Sequence, residues 1–396
     1  MIRRVTDKKA GSDKRPSSAA RPAPTPAAGW SGMSSSRSGG SRGPGSLRAP
    51  LAAAFSRRAH LLRAADTTVC RLFSGKSDGI DGMYIDRLGP GIVIALYEGR
   101  VPDGINHEQL AADALRAATD LVPDCVRAVY VKPFAKDRSR LGGEAPPITR
   151  DPLPLAGDEL PESVVVREHG VALEVRHYDG FSCGVFLDQR RNRRELSAMC
   201  KRRIKAAGSC NVLNTFCYTG AFSVACAAVG ASTTSVDVSA KYLDWAKRNF
   251  AHNAIAIDNA DASRPHHRFA RLDTFDFLGL AQKKGHRYDL IILDPPSFGS
   301  GDKKRKIKPW SSVEHYPALV AEAAKVLAPG GRIFASTNTT ELCRVTSSRG
   351  GPAMPRLWRE IIKGLGEEPK WLEGVGLPED ASGETDRFAC ALFELP

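Results

Sequence analysis

The chain has 396 residues, room for two domains and a tail, and no apolar run approaches the roughly 18 to 20 residues that a membrane span takes. Its net charge is +13, but residues 1–64 hold thirteen Lys and Arg against Asp7 and Asp13, which leaves +2 for everything after them. This argues against a folded body that attracts polyanions over its whole surface, and nine cysteines without a C-x-x-C pair argue against a disulfide framework or a zinc site.

Residues 1–47 are rich in Ser, Ala, Gly, Pro and Arg, and disorder is expected there. Three explanations stay open for them: an organellar transit peptide, since no acid follows Asp13, a basic arm that touches RNA, or an unselective extension. Order is expected from Leu47, with a short helix through Arg57-Arg58 to Leu61-Leu62. Strands follow at Val69–Phe73, Gly82–Asp86 and Ile92–Leu96, then a helix at 107–120 and a strand at Ala128–Val131. Beyond a Pro-rich loop (146–161), Ser163–Arg167 and Val171–Arg176 read as a hairpin turning at His169-Gly170. Residues 48–180 thus form a small α+β domain, expected to recognise substrate.

From Phe181 strands alternate with helices, as in an α/β doubly wound parallel sheet. Strands are predicted at 211–216, 233–237, 267–271, 288–293 and 331–336, and helices at 220–229, 239–252, 274–281, 312–327 and 354–364. The last two strands, Trp371–Leu377 and Phe388–Leu395, have no helix between them and are expected to pair as a hairpin. Five parallel strands closed by a terminal antiparallel hairpin is the Rossmann-like layout of a class I methyltransferase, and residues 181–396 are assigned to it.

Chemistry gathers at three strand ends. The run Cys210–Leu213 leads into a tight turn at Thr219-Gly220 and then an alanine-rich helix, which exposes backbone amides to a crevice. The next strand ends in Asp237, placed for a ribose diol, and a third ends in Asp294-Pro295-Pro296-Ser297-Phe298. An adenosyl cofactor beside a planar substrate fits that pattern.

With Phe186-Leu187-Asp188-Gln189-Arg190, Asn192-Arg193, Leu213-Asn214 to Gly220, Val236-Asp237-Val238-Ser239 and Asp294-Pro295-Pro296-x-Phe298, the chain resembles the bacterial large-subunit (23S) rRNA methyltransferases that modify cytosine C5 or guanine N7. The resemblance covers roughly residues 48–396, and Leu72-Phe73-Ser74-Gly75 to Ile85-Asp86-Arg87 is similar to the start of the cytosine-C5 group's central domain. It implies S-adenosyl-L-methionine as cofactor, and rRNA or the pre-ribosomal large subunit as partner. It implies no metal, no membrane and a cytoplasmic location, or an organelle if the tail is a transit peptide. Two departures stand out. The tail cannot form the PUA RNA-binding domain of the cytosine-C5 enzymes. Asn338 stands where they carry the cysteine that adds to C6, and guanine-N7 relatives have Asn there too.

Read onto this chain, Asn214, Phe216, Tyr218 and Gly220 form the loop under the cofactor's methionine half, with core packing as the alternative for Phe216 and Tyr218. Asp237 holds the ribose, Ser239 contacts the cofactor or caps a helix, and Asp273 accepts from the adenine amine or caps a helix. Asp188, Gln189 and Arg190 end a strand and face the crevice, and Arg191 and Arg194 make a solvated basic face. Asp294, Phe298 and Asn338 form the catalytic set, with Phe298 stacking on a flipped-out base. Lys303, Lys304, Arg305 and Lys306, with Lys308 and Trp310, contact RNA phosphates or form a solvated loop. His266-His267 lack a third ligand at metal spacing and are expected at the surface. The expected activity is methyl transfer to an RNA base; a small-molecule methyltransferase and a non-catalytic cofactor-binding RNA-associated protein are the alternatives.

Overall fold

In the computed structural model, which describes residues 47–134, 153–178, 182–257, 265–302, 307–346 and 354–395, two large sheets carry the chain. The tail and the Lys303–Lys306 run lie outside the described residues. A five-stranded sheet runs β1 (Val69–Ser74), β2 (Met83–Leu88), β3 (Gly91–Tyr97), β4 (Ala128–Phe134) and β5 (Ala156–Gly157), in that spatial order. Helices Arg48–Arg57 and His107–Leu121 cover one face of it through Leu51, Phe55, Leu110 and Ala114. A separate hairpin, β6 (Val164–Glu168) with β7 (Val171–Val175), turns at His169-Gly170 as expected.

The later strands are β8 (Asn211–Thr215), β9 (Ser232–Val236), β10 (His267–Ala270), β11 (Tyr288–Leu293), β12 (Phe298–Gly299), β13 (Trp310–Ser311), β14 (Leu327–Thr337), β15 (Val345–Thr346), β16 (Met354–Pro355), β17 (Lys370–Leu372) and β18 (Ala389–Glu394). Seven of them make one sheet in the order β10-β9-β8-β11-β14-β18-β17. The first five are parallel, and β18 runs antiparallel to both β14 and β17, so the expected closing hairpin is present. β11 shows why so apolar a run becomes a central strand. Leu290 and Ile292 point into a core with Leu196, Cys226 and Phe334, while Ile291 and Leu293 point into another with Tyr316, Leu319 and Ile333. Both faces are covered by helices, so the strand needs no polar side.

The helix Ala240–His252 illustrates the layer between sheet and solvent. Ser239 caps it, its Oγ accepting from the Tyr242 amide at 3.3 Å, and Leu243, Ala246 and Phe250 fall on the buried face at helical spacing. Chain order reverses around β8: the chain passes outward through β9 and β10, then returns to β11 on the other side. In open α/β sheets such a switch point opens a crevice at the carboxyl ends of the strands.

Two expectations are corrected here. Leu187–Gln189 is a 3-10 turn leading into the helix Arg190–Ala207, not a strand end, because Gly184 has already turned the chain with φ 103°. On that helix Arg193 is buried, its guanidinium bonded to both oxygens of Glu168 at 2.6 and 2.7 Å. His267 is buried on β10 against Phe250, with a ring nitrogen 2.9 Å from Thr233 Oγ1, and burial lowers its pKa to about 4.

Candidate active site

A cleft of about 610 Å³ opens over the carboxyl ends of β8, β9, β11 and β14. It is the size that takes a nucleoside cofactor with part of a second ring. The loop after β8 is its floor. Phe216 (φ 52°) and Tyr218 (φ 50°) are both left-handed, a conformation that costs bulky side chains about 1–3 kcal/mol and is found where a site dictates the backbone. Both line the cleft and both are packed, Phe216 against Trp310 with centroids 5.4 Å apart, Tyr218 against Tyr242 at 4.5 Å. Packing and a place on the cleft wall thus go together at both residues. Thr219 is anchored behind the loop: its Oγ1 donates to the Gly184 carbonyl at 2.6 Å, and its own carbonyl accepts from Asn249 at 2.9 Å.

Gly220 is required by its own backbone and by the helix packed against it. Its φ is 74°, and a Cβ there would lie 2.8 Å from the Cβ of Ala246. The close approach is to the helix Ala240–His252, while its neighbours Thr219 and Ala221 line the cleft. Asn214 lines it too, with its amide donating to Ser223 Oγ at 2.9 Å.

At the end of β9, Asp237 binds two backbone amides, Tyr218 N at 3.0 Å and Ser239 N at 2.8 Å. Burial pushes its carboxyl up, and the backbone N–H groups pull the other way. Further hydroxyl donors at this carboxylate would favour its charged form. Ser239 and Asp273 also line the cleft, and both cap helices, Asp273 accepting from Phe275 N at 2.8 Å.

Across the cleft, Asp294 ends β11. Its Oδ1 accepts from Gln189 Nε2 at 3.0 Å and from Ser336 Oγ at 2.7 Å. Burial raises its pKa, opposed by those hydrogen bonds and by Arg193. The Pro295-Pro296 turn is fastened by Trp310, whose indole N–H donates to the Pro296 carbonyl at 2.6 Å. Asn338 lines the cleft, and its Oδ1 accepts from Ser297 Oγ at 2.9 Å. Phe298 is 73% exposed on the β12–β13 hairpin, beside the mouth and not in its wall. Lys308 continues the lining on the stretch that follows Lys303–Lys306.

Arg190 is not in the cleft. Its guanidinium makes a bidentate pair with Asp380 at 2.8 and 2.6 Å and donates to the Val69 carbonyl at 3.1 Å. The polar cluster after Phe186 thus divides, Gln189 and Asp188 toward the cleft and Arg190 away from it. Asp188 lines the cleft beside Gln189, as expected, whereas Phe388 was absent from the expected site: it arrives with β18 and has no local signal. Among the described residues no group of three His, Cys, Asp or Glu is arranged to hold a metal, and no helix is long and apolar enough to cross a membrane.

Residues 154–345 match a family model described as S-adenosylmethionine-dependent methyltransferase. YwbD of Bacillus subtilis (strain 168) is 34% identical over 291 residues, 73% of this chain and 66% of that protein. A ribosomal RNA large subunit methyltransferase of Deinococcus radiodurans is 32% identical over 309 residues, 73% of this chain and 65% of its own length. The chain therefore spans just under two thirds of the length of these relatives. Among solved structures, SMU.776 complexed with SAH superposes with a TM-score of 0.66 at 28% identity, over 87% of this chain and 80% of that one.

Proposed function

We propose that this chain, which belongs to the S-adenosylmethionine-dependent methyltransferase family, transfers the cofactor's methyl group to a ring nitrogen of a base in large-subunit ribosomal RNA, with guanine N7 the favoured atom. The partner is rRNA or the pre-ribosomal large subunit, and the work is cytoplasmic. The unit before residue 180 recognises the RNA, and the sheet from β8 onward carries the chemistry.

The observation that carries the nitrogen assignment is the rim formed by Asn338 and Ser297 beside Asp294. Methylating C5 of cytosine takes a thiolate that adds to C6 and later leaves. An amide stands at that rim instead. Cys343 is buried with its thiol bonded to the Thr337 carbonyl, and burial pushes it up to about 12. Cys217 borders the cleft, but burial and the nearby Asp237 hold it protonated well above the ordinary thiol range. Neither is a nucleophile at neutral pH.

The residues that fit the cofactor are Asp237 for the ribose hydroxyls, Asp273 and Ser239 for the adenine side, and Asn214, Phe216 and Tyr218 beneath the methionine half. When bound, S-adenosylmethionine supplies an electrophilic methyl. Asp294, fixed by Gln189 and Ser336, orients the base and offsets the positive charge that grows as its nitrogen is alkylated. Phe298 stacks on the flipped base, and Lys303, Lys304, Arg305 and Lys306 contact phosphates. Catalysis comes from alignment of nitrogen, methyl and sulfur, without a covalent enzyme intermediate.

Mass spectrometry of nucleosides from the large-subunit rRNA of a deletion strain tests this. One methylated guanosine is expected to vanish and to return with the wild-type gene, but not with Asp294→Ala. An unchanged rRNA nucleoside profile would sink the assignment.

A further inference from the structure

Several carboxylates line the cleft, and most are already occupied. Asp237 takes the amides of Tyr218 and Ser239, Asp273 caps its helix, and Asp294 holds Gln189 and Ser336 through Oδ1. Asp188 differs. Its Oδ1 is closed off from solvent and has no hydrogen-bond partner among the described residues. The nearest cations are committed elsewhere, Arg193 to Glu168 and Arg71 to Asp86 and Glu384. The remaining near charges, Asp294 and Glu384, are of like sign. A buried acceptor left without a donor costs stability, and native sites retain one where a ligand brings the donor.

We propose that Asp188 reads the substrate base, accepting the N1–H and 2-amino N–H of a guanine held beside Asp294 and Phe298. This rests on the rRNA-methylating function proposed above. An ionised carboxylate only accepts, and guanine alone among the four bases sets two N–H donors side by side on one edge. Adenine and cytosine place a ring-nitrogen acceptor beside their amino group, and uracil flanks its single N–H with carbonyls. That guanine edge lies across the purine from N7, so a base held by it keeps the N7 lone pair free for the methyl. Burial and the charge of Asp294 push the free carboxyl up to about 7, and N–H donors from the base draw it toward the charged, accepting form. A site built around donors rejects bases that lack them, since mismatching leaves the buried carboxylate unpaired.

The test uses the full chain, S-adenosylmethionine and the rRNA fragment bearing the methylated nucleotide, synthesised with guanosine or inosine at that position. Inosine keeps N7 and N1–H but lacks the 2-amino group. Wild type is expected to prefer guanosine by about ten- to a hundredfold in kcat/KM, the worth of one hydrogen bond to a charged acceptor. The isosteric Asp188→Asn is expected to lose activity on guanosine and to show no preference. Its affinity for S-adenosylhomocysteine by calorimetry should stay unchanged, which also reports that it folds. A preserved guanosine preference in the variant, or a methyl mapped to another base, overturns the proposal and leaves the methyltransferase function standing. Loss of S-adenosylhomocysteine binding by a folded variant overturns it too and moves Asp188 to the cofactor. If the variant does not fold, the wild-type ratio decides alone, and a ratio near one is fatal. Wild-type chain that transfers no methyl to any rRNA refutes the proposed function, and Asp188 as base reader falls with it.

Discussion

Gln189 and Asp294, 105 positions apart, are joined by a 3.0 Å hydrogen bond that ties the start of the helix Arg190–Ala207 to the end of β11. The same amide donates to Ser336 Oγ at 2.9 Å, and its carbonyl accepts from Asn192 at 2.7 Å. A carboxylate held by Gln189 and Ser336, from two other elements, is fixed in place, so whatever meets its second oxygen is met at a set position. Preorganisation of this kind is where enzymes gain rate without moving parts.

Asp237→Ala is expected to weaken S-adenosylhomocysteine binding by about 1.5–3 kcal/mol, roughly ten- to a hundredfold. The change removes both the proposed ribose acceptor and the brace on the Tyr218 amide. Isothermal titration of folded protein decides, and unaltered affinity removes Asp237 from the cofactor site.

Phe298→Ala should lower kcat/KM on RNA by an amount equivalent to about 1–3 kcal/mol, the worth of base stacking on an aromatic ring. Because Phe298 is 73% exposed, thermal stability should hardly change. Cofactor affinity should be unchanged, and equal RNA kinetics in the two proteins would return Phe298 to an idle surface ring.

Arg190→Ala is expected to cost about 3–5 kcal/mol of stability by leaving Asp380 buried and unpaired. Replacing both partners with apolar residues of similar volume should recover most of it. Denaturant melts of the two single variants and the double variant measure this; additive losses would mean that the pair is not coupled.

RNA carrying 5-fluorocytosine should form no denaturant-stable adduct with the protein. A trapped complex on gel electrophoresis, with the adduct mapped to Cys217 or Cys343, would replace the nitrogen assignment with carbon methylation.

Stability should carry the signature of Asp188. Its carboxyl is raised from 3.8 to about 7 by burial, with Asp294 and Glu384 adding to the rise and Arg71 and Arg193 opposing it. The folded state therefore binds that proton more tightly than the unfolded chain. The resulting stabilisation is full below about pH 4 and lost as pH rises through about 7. Across that window the ligand-free wild type should lose more Tm than Asp188→Asn does, and parallel curves would contradict the assigned shift.

The centre of the parallel sheet was legible because β11 is a short apolar run buried on both faces, with strand–helix alternation on either side of it. β14 shows the limit. Its apolar stretch predicts 331–336, yet β14 begins at Leu327 opposite Tyr288, and the register then skips Pro329 and Gly330, residues that locally signal a turn, to resume at Arg332 opposite Leu290. The β12–β13 hairpin was invisible, since two-residue strands have no period to detect. In the site, Asp237, Asp294 and Asn338 were readable as strand-end residues. Arg190 was misassigned because its partner lies 190 positions away, and nothing near Asp380 advertises a buried charge.

Asp380 accepts from Arg190 through both oxygens and from the Arg71 amide at 2.7 Å, while its carbonyl takes Arg58 at 3.3 Å. One late residue thus closes contacts with the first helix, the first strand and the helix that leads out of the cleft. During synthesis those three emerge before Asp380 does, and Arg190 waits for its counterion, while Arg58 and Arg71 already have Asp78 and Asp86. The nascent chain can build its early sheet, but it cannot seal the joint until its closing segment leaves the exit tunnel. The completed cleft therefore waits on Asp380, and shortening the chain before that residue should leave the joint open rather than give a smaller working unit.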